Sequence, residues 1–242
     1  MAKPGPVYLM AGAGPGTGPK SVRYHRDAVA ATGKKKPSIA YVGAAAGDAL
    51  AFEKMISTMI FGLTADVTSV KLTKKKEKTS DLKNKLADAD LIFITGGDVD
   101  AGMKAIHERD MAGYFQELHA QGKVFEGVSA GSIMLGMHWV RFPEDGDESA
   151  AEPFDCMGIA PFSFDAHGEK DNWEELQVLA RLLAARPKPP KHVYGLVSGT
   201  CGLWQGDTLS ALGGNLNRYT VTPKPVRADD LAPADGDAKI SR

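Results

Sequence analysis

Ser129 is the side chain of this sequence best placed to act as a nucleophile. It lies in Gly127-Val128-Ser129-Ala130-Gly131, the G-x-S-x-G spacing of a nucleophile elbow. In an elbow a strand turns so sharply into a helix that only small neighbours fit, and the serine oxygen is left exposed. Serine is a weak nucleophile until a base takes its proton, and that base is usually a histidine steered by a carboxylate. Six histidines are available. His25, His107, His119 and His138 fall in or beside expected helices and read as helix-surface residues, and His192 follows Pro189-Pro190-Lys191 in a linker. His167 differs: it ends the apolar run IAPFSF, sits in a loop, and precedes Glu169 and Asp171.

Other chemistry is thin. No His, Cys and Asp cluster has metal-ligand spacing, so neither a metal nor another cofactor is expected. Cys156 and Cys201 lie in apolar stretches and read as core residues, and Trp139, Trp173 and Trp204 read as packing residues. The loop AGAGPGTGPKS nearly matches a phosphate-binding loop through Gly14, Lys20 and Ser21. Pro19 stands where the second glycine belongs, and proline has no N–H to offer a phosphate. A flexible loop at the end of a strand is the better reading. Lys34-Lys35-Lys36 and Lys74-Lys75-Lys76 have no interleaved aromatic residues and read as solvated loop charges.

The elements that must position these residues follow from periodicity. Val7 to Ala11, Ser38 to Val42 and Asp90 to Thr95 are short and apolar almost throughout, and so is the run leading into Ser129. Asp66 to Leu72 alternates as a further strand. Between them lie helical stretches at Ser21 to Ala31, Leu50 to Phe61, Ser80 to Ala87 and Met103 to Gln121. Apolar strands alternating with amphipathic helices predict an α/β fold, a mostly parallel sheet covered on both faces. The working loops of such a sheet lie at the carboxyl ends of its strands. AGAGPGTG, GAAAG, TGGD and the elbow therefore share one edge. Downstream, MHWVRF reads as a helix end or a strand, PEDGDESAAEP as an acidic loop, and Asn172 to Ala185 as a helix. Val193 to Val197, Cys201 to Trp204 and Thr208 to Leu212 read as late, antiparallel strands. One α/β domain over residues 1–222, followed by a polar flexible tail over 223–242, is the expected organisation.

The 242 residues are 43% hydrophobic and 24% charged, with a formal net charge of -1, an ordinary globular composition without the basic excess of a nucleic-acid binder. Nothing approaches the roughly 18 uninterrupted apolar residues of a membrane span, and no signal peptide is legible. Two scattered cysteines fit a reducing compartment. The expectation is a cytoplasmic protein that engages neither nucleic acid nor membrane.

TGGDVDAGMKAI, then GVSAGSIMLG, then FDCMGIAPFSFDAH resemble successive landmarks of the cyanophycinase and alpha-aspartyl dipeptidase family of serine peptidases. The resemblance covers about Val7 to Leu212. It implies a three-layer sandwich similar to class I glutamine amidotransferases and hydrolysis of an amide bond next to an acidic residue of a small peptide, through an acyl-enzyme. It makes Ser129 the nucleophile, His167 the general base, the N–H groups of Gly97 and Ala130 the oxyanion hole, and Asp98 a substrate-binding residue. The triad acid falls by family spacing at Glu144, with Asp145 and Asp147 close behind and Asp165 as another candidate; a homodimer is left open. The chain departs from the family in carrying Ser132 where the elbow pattern has alanine, and Gly168-Glu169-Lys170-Asp171 after the histidine.

Three rivals stand beside this reading. A catalytically silent binding or regulatory protein on the same fold is motivated by the altered segment after His167. An alpha/beta-hydrolase esterase shares the elbow, but only 38 residues separate Ser129 from His167. A nucleotide-binding protein is disfavoured by Pro19.

Overall fold

The structure, a computed structural model, describes residues 3–12, 18–62, 66–143 and 150–233. In chain order the elements are β1 (Val7–Met10), α1 (Gly18–Ala31), β2 (Ser38–Val42), α2 (Leu50–Phe61), β3 (Asp66–Val70), α3 (Thr79–Asp88), β4 (Leu91–Ile94), α4 (Val99–Glu108), α5 (Ala112–Ala120), β5 (Val124–Val128) and α6 (Ala130–Leu135). They continue with β6 (His138–Arg141), β7 (Glu152–Asp155), β8 (Phe164–Ala166), α7 (Glu174–Ala184), β9 (His192–Leu196), β10 (Cys201–Gln205), β11 (Thr208–Leu212), β12 (Asn217–Thr220) and β13 (Val226–Arg227). The central sheet has the order β11-β10-β1-β5-β4-β2-β3. Its pairs from β1 to β3 are parallel, while β10 and β11 add antiparallel at one edge. A smaller sheet, β13-β12-β9-β8, and the β6-β7 hairpin complete the described strands.

Strand periodicity divides the core. In β1, Val7 and Leu9 face one cluster while Tyr8 and Met10 face the other; in β4, Ile92 and Ile94 oppose Leu91 and Phe93 in the same way. One face packs against α1 and α2 through Tyr24, Ala28 and Ile56. The other packs against α3 to α6 through Leu82, Met103, Phe115 and Met134. Both faces are covered, so β1 and β4 at the middle of the sheet read as unbroken apolar runs. The result is the expected three-layer α/β sandwich.

Several local expectations change. The helix expected over Met103 to Gln121 is two helices, broken where Asp110 takes a positive φ of 51° and its N–H bonds His107 O. MHWVRF supplies a strand, β6. The strand at Val193 is not part of the main sheet: β9 pairs parallel with β8 and antiparallel with β12. The stretch from Pro223, expected to be a flexible tail, contains β13, and Leu231 bridges Leu216 by two backbone hydrogen bonds. Residues 234–242 of that expected tail lie outside the described residues.

Candidate active site

Ser129 closes β5 and immediately precedes α6. Its backbone sits at φ 54°, ψ -122°, a region that a side chain tolerates only under constraint. The constraint is visible. Ser129 N donates to Met10 O at 2.8 Å, and Ser129 O accepts from Ser132 N and Ile133 N, which starts the helix without delay. Gly131 passes so close to the Ile94 carbonyl that any side chain there would run into it, which is why the pattern needs a glycine. Ser132 is fully buried, and its hydroxyl both accepts from Met10 N at 2.9 Å and donates to Met10 O at 2.8 Å. The residue that departs from the family pattern thus ties the elbow helix to β1.

His167 follows β8 at a φ of 72°. Its Nε2 lies 3.1 Å from Ser129 Oγ, within hydrogen-bond reach. Buried Trp173 props the loop: its N–H donates to Gly168 O at 2.8 Å, and its indole lies against Gly168 and Gly195. Trp173 is therefore packing, as expected, but packing that fixes where the imidazole stands.

Gly97 and Ala130 line one cleft with Ser129, a space of about 370 Å³. Gly97 lies at φ 144° directly on the Ala45 carbonyl, a close approach only glycine permits, while the next residue, Asp98, donates its N–H to Ala45 O at 2.8 Å. Ala130 opens α6, so its N–H has no acceptor within the helix. No hydrogen bond to a described residue engages either amide. Asp98 also lines the cleft, though its Oδ1 accepts from Ala101 N at 2.9 Å and caps α4.

Glu144, Asp145 and Asp147 lie outside the described residues. Asp165 lines the cleft at 4% exposure, and its Oδ1 accepts from Ala166 N at 2.6 Å. Burial pushes its carboxyl well above the usual range, and the neighbouring Glu175 adds to this. Glu169 accepts from Ser198 N at 2.6 Å; burial pushes it up, but that bond and the nearby His167 outweigh burial and hold it below the usual carboxylate range. Two further lining residues, Arg141 and Glu175, are ones that sequence reasoning did not single out. Arg141 is held by a two-point ion pair with Asp100, with Nε to Oδ2 at 2.9 Å, and by Glu152 at 3.2 Å.

The remaining histidines separate. His119 Nε2 meets Gly5 O at 2.8 Å; His138 lies against Arg186 at 2.8 Å, and burial, with the Arg186 charge beside it, lowers its affinity for a proton. His25, expected at a helix surface, is instead buried and paired with Glu126. Both cysteines are buried, with thiols pushed far up by desolvation, as core residues should be. Among the described residues no group of three His, Cys, Asp or Glu could hold a metal ion, and no helix is long and apolar enough to cross a membrane.

With this geometry in hand, comparison with known proteins decides the family. The profile of Peptidase family S51 matches residues 8–212. The chain belongs to peptidase family S51. Its class is thus that of a serine-type peptidase, a hydrolase. Peptidase E of Shewanella sp. (strain ANA-3) is 28% identical over 199 residues, covering 76% of this chain and 80% of the relative. Peptidase E of Shewanella oneidensis is likewise 28% identical over 199 residues, with the same coverage. Among solved structures, a peptidase from an acI-B1 Actinobacterium superposes with a TM-score of 0.66 at 16% identity, covering 95% of this chain and 97% of that one. A putative peptidase E protein from Listeria monocytogenes EGD-e gives 0.58 at 13%, covering 86% and 98%. These two likenesses concern the fold.

Proposed function

We propose that this S51 peptidase cleaves an amide bond next to an acidic residue in a small peptide, through an acyl-enzyme on Ser129. The single observation that carries the chemistry is the 3.1 Å approach of His167 Nε2 to Ser129 Oγ at a strained elbow. His167 takes the hydroxyl proton as Ser129 attacks the carbonyl, then returns it to the leaving amine. The amides of Gly97 and Ala130 stabilise the oxyanion, because both line the nucleophile's cleft without a described acceptor. Water then attacks the ester, with His167 again as base, and releases the acid product. Glu144 orients the imidazole in this reading. The charge neighbour of His167 among the described carboxylates is Glu169, which makes Glu169 the rival for that role.

Selection of an acidic side chain falls to Arg141, the described cation of the cleft. Asp100 and Glu152 now hold its guanidinium, so a substrate carboxylate must exchange with one of them. Asp98 offers its second carboxylate oxygen to the substrate's ammonium group. The two halves of the proposal separate experimentally. Ser129→Ala should lower turnover of an aspartyl dipeptide by about 10⁴-fold or more with an unchanged melting temperature; retained turnover would dismiss the nucleophile. Aspartyl p-nitroanilide should be cleaved faster than the lysyl compound, and Arg141→Ala should erase that preference. A faster lysyl substrate would leave the catalytic reading standing and remove the specificity. The two cysteines are free buried thiols, which supports placing the enzyme in the reducing cytoplasm.

A further inference from the structure

The far face of the sheet holds a second cavity, about 520 Å³, between α1 and α2 and remote in sequence from every residue of the peptidase site. That volume lies in the range of small-molecule sites, roughly 300–1,000 Å³. Val22, Val29, Ile39 and Phe61 give it apolar walls. Its charged lining is of one sign: Arg26, Lys35 and Lys36, with neither Asp nor Glu. Lys34, next to them, is neutralised by Asp90 at 2.7 Å, whereas Arg26, Lys35 and Lys36 have no ion-pair partner among the described residues.

The other polar lining residues are Thr58, which is exposed, and His25, only 6% exposed. The Nδ1 of His25 bonds Glu126 Oε1, so the partner that fixes the ring lies behind it, inside the sheet. No described residue takes up its Nε2. Apolar walls, three unpaired cations and one anchored, nearly buried imidazole with an uncommitted nitrogen together have the composition of a ligand site. A solvated surface helix has no need of a nearly buried imidazole anchored on a buried carboxylate.

We propose that this cavity binds a small amphipathic anion, a flat or chain-like apolar body bearing one carboxylate, sulfonate or phosphate group. The body lies between α1 and α2 over Val29 and Phe61. The anion meets Lys35, Lys36 and Arg26, and His25 makes the polar contact within. The inference is independent of the peptidase reading, since the two sites share no lining residue.

The test uses two fluorescent probes that differ by one charge, 8-anilinonaphthalene-1-sulfonate and the uncharged N-phenyl-1-naphthylamine, titrated into the intact protein. The sulfonate should bind saturably at one site per chain, about tenfold or more tighter than the neutral probe. Lys35→Glu combined with Lys36→Glu, both exposed, should weaken the sulfonate by about tenfold and leave the neutral probe unchanged. Ala30→Trp, on an exposed position of the lining, should block the cavity and abolish saturable binding of both. Unsaturable binding, equal affinity for the two probes, or binding that survives Ala30→Trp would each overturn the proposal.

Discussion

His167 and His25 each meet a side chain carried by or next to the same strand: His167 meets Ser129, and His25 meets Glu126, three positions earlier. The likeness ends there. His167 is exposed, in a loop at positive φ, with its Nε2 turned to a hydroxyl at the carboxyl edge of the sheet. His25 is buried within α1 on the far face, against a carboxylate with no exposure at all. Access and partner, not the ring, decide what a histidine does. A base must reach solvent-borne substrate and find a proton to take. A buried imidazole beside a buried carboxylate chiefly settles a charge that the sheet could not otherwise hold.

That contrast can be broken by exchanging readouts. His167→Ala should cut peptide turnover by about 10⁴-fold or more, with stability within about 0.5 kcal/mol in urea titration, since the side chain is exposed. A large loss of stability would make His167 a structural residue. His25→Ala should do the reverse to the fold. It leaves Glu126 buried without its partner, and the cost should be about 3–5 kcal/mol in the same titration. A cost below about 1 kcal/mol would mean that the pair settles little.

The smallest effect concerns pH. Burial and Glu175 raise the Asp165 carboxyl in the folded state above its unfolded value. The folded protein therefore holds that proton more tightly. The stability associated with it is fully present below the unfolded pKa and is lost as pH rises through the folded one. Asp165→Asn should thus raise the melting temperature at neutral pH and make no such difference near pH 3. A variant less stable than the parent at pH 7 would contradict the assignment.

Much of this was legible in the sequence because the fold repeats one rule. VYLM and LIFI are apolar throughout, and SIAYV and VFEGV nearly so, since both faces of the sheet are covered, and the elbow's small residues advertise its turn. His167 stood out because it left an apolar run for a loop. Arg141 and Glu175 did not, because their approach to the cleft depends on elements without a local signal. Arg141 ends β6, which pairs only with β7 and lies outside the main sheet. Glu175 lies on a helix between β8 and β9, whose parallel pairing spans that whole crossover. His25 reads as a helix-surface residue for a related reason. Its partner is 101 residues away, and the clue was on the partner: a glutamate in the middle of a buried strand has to be paired. The division of Met103 to Gln121 into two helices turned on one aspartate adopting a positive φ, which a periodic apolar pattern does not encode.

The reading of Ser129 as an assembled nucleophile is tested most directly by intact-mass analysis after exposure to a fluorophosphonate. Wild type should gain one adduct per chain, mapped by peptide sequencing to Ser129. Ser129→Ala should gain none, and His167→Ala should react at least about 10²-fold more slowly. An unlabelled wild type, or an adduct on any other residue, would contradict it and favour a silent member of the fold.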